Sequence, residues 1–217
     1  MANSSYKDYL ESRASDNTKA PLPGTLKLVT PPAVELFDLT FLKMYLRVDG
    51  SEEDSLIESI QKMRRSEAEE LLNMGLLPQT YEEKIYSFPA YARLNPDRAI
   101  VLKKGPLISV SSITYFDKDN IEQTVSADQY SVLDSDRGLP VIAPLAGNSW
   151  PETTSRIDSV KITYQVGFAT PSDIPDGIKS AILLMIADLY DNRTDSARGI
   201  PTASVKTLMQ YRLQSFR

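Results

Sequence analysis

The chain has 217 residues, 41% of them hydrophobic and 24% charged, with a net charge of −5; these values suit a globular protein with one ample core or two small lobes. It contains no cysteine and no histidine, which excludes disulfides, thiolate metal sites and cysteine nucleophiles and removes the side chain that most hydrolase triads and zinc sites use. No apolar run reaches the ~18 residues of a membrane span, and residues 1–20 lack the basic start and apolar centre of a signal peptide, so an intracellular protein with no membrane segment is expected.

Residues 1–32 are polar at first and then carry Pro21, Pro23, Pro31 and Pro32, which predicts an extended arm; Leu26, Leu28 and Val29 within it have the composition to add a strand to a sheet. Asp38 is placed to cap a short helix through Leu46. The strongest helix signal follows at residues 51–75. Ser51 and Asp54 form a capping pair, Glu52, Glu53 and Asp54 favour the positive end of the helix dipole, and Gly75 is placed to end the helix. Leu56, Ile60, Met63, Glu67 and Leu71 fall on one stripe of it, with Ile57, Arg64, Ala68 and Leu72 on the row beside.

Beyond Gly75 the period shortens to that of strands. Short β segments are expected at residues 80–88, 99–102, 110–116, 121–125, 130–133, 139–142 and 160–166, the last alternating cleanly through Val160, Ile162, Tyr164 and Val166. Strands at this spacing suggest an antiparallel sheet or small sandwich. Residues 175–191 form a second long helix with Ile178, Ile182, Met185, Ile186 and Leu189 on one face. A last amphipathic stretch runs over residues 204–213. The expected fold class is therefore α+β: a helical bundle formed by the N- and C-terminal segments, closed around an antiparallel β-rich insertion. The corresponding units are an arm at 1–34, the bundle with its C-terminal tail at 35–76 and 172–217, and the insertion at 77–171.

Charge is unevenly spread. Arg193, Arg198, Lys206, Arg212 and Arg217 against Asp195 give the last 25 residues a net +4, leaving −9 on the rest. Such a tail either meets a different partner from the body or folds back onto its own acidic surface. Candidates for chemistry are few. The glycines form no phosphate-cradling spacing. Residues 117–120 resemble the start of a calcium loop but lack its glycine and final glutamate, so a hairpin turn is the better reading. Glu67, Glu69 and Glu70 are expected on a solvated face. Arg64–Arg65 and Lys103–Lys104 have no interleaved aromatics of the kind a nucleic-acid surface uses. A Ser–Lys dyad is not excluded by composition, but nothing singles one out. No catalytic, cofactor-binding or metal-binding residue is expected.

The order of the elements resembles the phage head–tail connector (head-completion adaptor) family. The matching pieces begin with Leu39-Thr40-Phe41-Leu42-Lys43-Met44-Tyr45-Leu46-Arg47-Val48-Asp49, similar to that family's opening helix with its Leu-Arg-Val-Asp ending. Glu52 to Asp54 and Leu56-Ile57 follow, then residues 77–81, Gly105-Pro106-Leu107 with residues 110–115, and Trp150-Pro151. Residues 160–164 with Gly167-Phe168, residues 175–190 with Asn192-Arg193, and finally Leu208 with Tyr211-Arg212 complete the set. The likeness spans residues 37–212 and leaves 1–32 unaccounted for.

The resemblance implies a non-enzymatic ring protein in the virion neck of a tailed phage, prophage or gene transfer agent, assembled in the host cytoplasm without cofactors. Such rings, typically of twelve subunits, sit below the portal and join the capsid to a stopper or tail-completion protein around the channel that DNA crosses without specific binding. An acidic lumen would repel the DNA backbone and let it slide. The candidate portal-binding residues lie in the detached basic tail: Arg198, Leu208, Tyr211, Arg212, Phe216 and Arg217, large anchors and arginines of the kind that dominate interfaces. Two other readings remain open on the residues alone: a small soluble binding or regulatory domain that forms no ring, and an enzyme using carboxylates only.

Overall fold

A computed structural model describes residues 24–90, 98–134, 138–192 and 202–214. The expected α+β class with antiparallel sheets is what it shows, in the order β1 (Thr25–Thr30), α1 (Leu39–Leu46), α2 (Asp54–Leu72), β2 (Gln79–Ile85), β3 (Ile100–Val101), β4 (Leu107–Phe116), β5 (Glu122–Thr124), β6 (Tyr130–Leu133), β7 (Val141–Pro144), β8 (Val160–Val166), α3 (Asp176–Asp191) and α4 (Thr202–Met209).

The larger sheet runs β1-β2-β8-β4-β5 and the smaller β3-β7-β6, with every pairing antiparallel. In β8 the alternation is complete: Val160, Ile162, Tyr164 and Val166 are buried and the residues between them are not. Tyr164 stands opposite Tyr81 of β2 and Val110 of β4. That face closes a core with Ile100, Leu102 and Ile142 of the smaller sheet and its margin, and with Phe88 stacked on Trp150 at 4.8 Å. The Asp117 turn joins β4 to β5 as a hairpin. Its carboxylate accepts amides from Asp119 and Ile121 at 3.0 and 2.9 Å, and Asn120 takes a left-handed φ of 61°. These bonds, the Ile121 amide foremost, hold the Asp117 carboxyl below its usual range.

The helices share a second core, in which Leu42 of α1, Ile57, Ile60, Ala68 and Leu72 of α2, Ile178, Ile182, Met185 and Ile186 of α3 and Leu208 of α4 pack together. Asp38 caps α1 as expected, accepting the Thr40 amide at 2.8 Å. The start of α2 differs from expectation. Ser51 receives only a backbone bond from Asp54 at 3.3 Å, the helix begins at Asp54 without a side-chain cap, and the Asp54 carboxylate pairs with Lys43 at 2.7 Å. Its end differs too. Asn73, at φ 56°, is the left-handed stop, with its amide bonded to the Glu69 and Glu70 carbonyls. Gly75 serves close approach instead, since a Cβ there would lie 2.7 Å from Val166 Cγ2.

Two further expectations hold in part. The strand expected at Leu26, Leu28 and Val29 forms, and its partner lies in the same chain: β1 pairs with β2 from Thr25 opposite Lys84 to Thr30 opposite Thr80. Residues 1–23 lie outside the described residues. The buried face of α2 keeps Ile57, Ile60, Ala68 and Leu72 from the two expected rows but turns away from the rest of the first. Ile57, Ile60, Gln61, Arg65, Ala68, Glu69 and Leu72 point inward, while Leu56 and Met63 are 36% and 52% exposed. Charged side chains took the inner places because partners wait for them there.

Candidate functional site

Those partners form a polar hub at the C-terminal half of α2. Arg65 donates from Nε and Nη2 to the two oxygens of Glu35 at 2.8 and 3.2 Å, and from Nη1 to Glu69 at 2.9 Å. The other Glu69 oxygen accepts the Leu76 amide at 2.9 Å and Gln79 Nε2 at 2.7 Å. Lys104, also buried, donates to the Glu69 carbonyl at 3.1 Å and to the Glu70 carboxylate at 2.9 Å. Burial pushes the Glu69 carboxyl up, and the Arg65 charge, the Leu76 amide and Gln79 oppose it. The hub thus ties the lead into α1, the body of α2, the start of β2 and the turn before β4 into one unit. Both Glu69 oxygens are committed to structural donors, so the group holds segments together and is not poised to move a proton. The expectation of a solvated Glu67–Glu70 face is corrected at Glu69.

A smaller cluster lies on the sheet. Glu83, buried on β2, accepts the Lys103 amide at 3.3 Å and the Tyr164 hydroxyl at 3.4 Å, with Lys103 Nζ 3.6 Å away. Burial raises its carboxyl, and it raises the Tyr164 hydroxyl as well. Among the described residues no group of three or more carboxylates could hold a metal ion, and no helix is long and apolar enough to cross a membrane.

The candidate portal-binding residues divide four ways. Arg198, Phe216 and Arg217 lie outside the described residues. Leu208 is fully buried in the helical core, which corrects its expected role as an exposed anchor. Tyr211 is half-buried against the start of α3, where a Cβ on Gly177 would sit 2.5 Å from its hydroxyl. Arg212 is exposed, alongside Lys206, Met209 and Gln210. The chain then re-enters the fold. Leu213 donates its amide to the Leu72 carbonyl at 2.9 Å, Asn73 Nδ2 donates to the Leu213 carbonyl at 3.3 Å, and Gln214 accepts the Leu139 amide at 3.0 Å. Leu213 sits against Gly105 and Pro140, between the helices and the sheets. The hydrophobic spacing of Val205, Leu208 and Leu213 was the signal for this packing, and the basic residues around it drew attention to the surface instead.

No family model matches the chain, and no curated protein matches it. Solved structures do match in fold. A chain in the neck of an empty gene transfer agent (GTA) particle, computed with C6 symmetry, superposes with a TM-score of 0.73 at 20% identity over 89% of this chain and 97% of that one. A chain in the virion of a native gene transfer agent particle gives 0.71 at 20% identity with the same coverages. A chain in the neck of a native particle computed with C12 symmetry gives 0.64 at 19% identity, again with those coverages. The protein therefore shares, over 89% of its length, the fold of a chain found in gene transfer agent necks.

Proposed function

We propose that the chain is a structural, non-enzymatic subunit of the neck of a tailed phage-like particle, a head–tail connector that forms a ring below the portal. The observation that carries this proposal is the fold shared over 89% of this chain and 97% of a neck chain. Sixfold and twelvefold symmetry in those necks suits a ring of twelve copies here. On this account the ring joins the portal to a stopper or tail-completion protein, assembles in the host cytoplasm and ends in the virion. DNA crosses it without specific binding, repelled by an acidic body.

The helical segments 35–76 and 172–217 act as one bundle, and residues 77–171 as a β-rich insertion whose sheet takes β1 from the arm. Portal docking falls to Tyr211 and Arg212 on the described surface and to Arg198, Phe216 and Arg217 beyond it, with Leu208 holding that segment from inside. Solution mass tests the proposal: the chain with the portal of its own particle is expected to form a complex carrying about one copy per portal subunit. A mixture whose components keep their separate masses would refute it.

A further inference from the structure

Apart from Thr40 and Lys43, the latter paired with Asp54 at 2.7 Å, every residue of α1 is apolar. Leu42 is buried in the helical core, whereas Phe41, Met44 and Tyr45 are 39%, 70% and 40% exposed. Phe37, Phe41 and Tyr45 form one row of rings with centroids 5.9 and 6.5 Å apart. An apolar helix face belongs against a partner surface, yet among the described residues these three side chains stay exposed.

Helix α2 carries a second such patch in Leu56 and Met63. It lies on the opposite flank. Gln61 and Arg65 hold the Phe37 amide and Glu35, the residues that lead into α1. Met63 is two residues from each, about 200° around the helix at 100° per residue. It lines an open groove with Leu189 of α3. Arg64 beside it pairs with Glu67 at 2.7 Å, and Lys62 on the same groove is exposed. The exposed side chains of each patch, Phe41, Met44 and Tyr45 on one and Leu56 and Met63 on the other, are apolar, so each suits the other better than a charged partner.

We propose that the Phe41–Met44–Tyr45 face of one copy packs on the Leu56–Met63 flank of the next copy, and that this head-to-tail contact is the seam of the ring. The inference rests on the ring reading above. A closed ring of identical chains needs two different surfaces on opposite flanks of each subunit, and these two are so placed. Size fixes the behaviour of the seam. The three exposed side chains offer on the order of 250 Å², against about 800 Å² per partner in a stable complex. A pair of copies therefore comes apart in dilute solution, and the seam persists where ring closure and a template add to it.

The absence of native cysteine permits a clean test by disulfide trapping. Met44→Cys and Met63→Cys both replace exposed side chains outside the core, so the double variant in the full chain is expected to fold as the parent does. Under mild oxidation of the concentrated protein it is expected to give a ladder of covalent multimers on a non-reducing gel, while each single variant stays a single chain. A double variant that gives no ladder would overturn the seam; if rings are nevertheless seen on the portal, the ring reading survives and only this contact falls. Dimers from Met44→Cys alone would overturn it as well, because like faces would then be meeting.

Discussion

The amide of Leu213 bonds the carbonyl of Leu72 at 2.9 Å, which ties the last buried residue among those described to the final turn of α2. Leu213 and Leu208 are both part of the helical core, so the C-terminal segment is folded into the subunit up to Gln214. Any partner-binding role for the tail must be carried by what remains outside that packing.

This separates two truncations. Ending the chain after Thr202 removes Leu208 and Leu213 and is expected to lower stability by more than a single buried Leu→Ala change, itself about 2–5 kcal/mol. Ending it after Gln214 is expected to leave the melting temperature unchanged and to weaken portal binding. Melting curves of the two proteins, with a portal pulldown of the second, check this. Full portal affinity in the protein ending at Gln214 would remove Phe216 and Arg217 from the docking surface.

The rotated face of α2 makes a second contrast. Ile60→Ala and Ile182→Ala are each expected to cost about 2–5 kcal/mol, because both side chains are buried in the core. Leu56→Ala and Met63→Ala are expected to stay within about 0.5 kcal/mol of the parent. Denaturant titration of the four variants measures the difference, and equal losses across all four would mean the helix faces are misassigned.

Arg65→Ala would leave Glu69 buried with its counter-charge gone. Removing one partner of a buried pair costs about 3–5 kcal/mol, and a loss of that size is expected by denaturant unfolding. A loss below about 1 kcal/mol, the range of exposed pairs, would show that water reaches the hub.

The Glu83 carboxyl supplies a pH test. Burial raises it above the usual glutamate range, with Lys103 opposing. Between the ordinary value and the raised one, the folded protein holds a proton that the unfolded chain has released. Stability from this site is complete below that window and declines as pH rises through it. Glu83→Gln cannot titrate, so it is expected to gain on the parent between about pH 4 and about pH 7. Denaturation of both proteins at the two pH values checks the sign, and a constant gap between them would contradict it.

Much of the fold was legible in the residues themselves. The alternation of β8, the apolar face of α3, the Asp38 cap and the Asp117 turn each depend on neighbours a few positions away, and each stands where local chemistry put it. What was not legible depends on distant partners. Arg65 and Glu69 look like surface charges until Glu35, Leu76 and Gln79 are brought to them. Once those charges turn inward, Leu56 and Met63 turn outward, which an apolar stripe alone cannot reveal. The strand at Thr25–Thr30 was legible from Leu26, Leu28 and Val29, but its partner β2, fifty or more residues later in the chain, was not. Leu208 was visible as an apolar residue in a basic segment, but only packing on α3 decides between anchor and core.

The central claim is tested most directly by electron microscopy of the purified chain mixed with the portal of its own particle. The account predicts closed twelvefold rings seated on one face of the portal, matching the C12 symmetry of a neck with the same fold. Portals with a bare face beside dispersed single copies of the chain would contradict it.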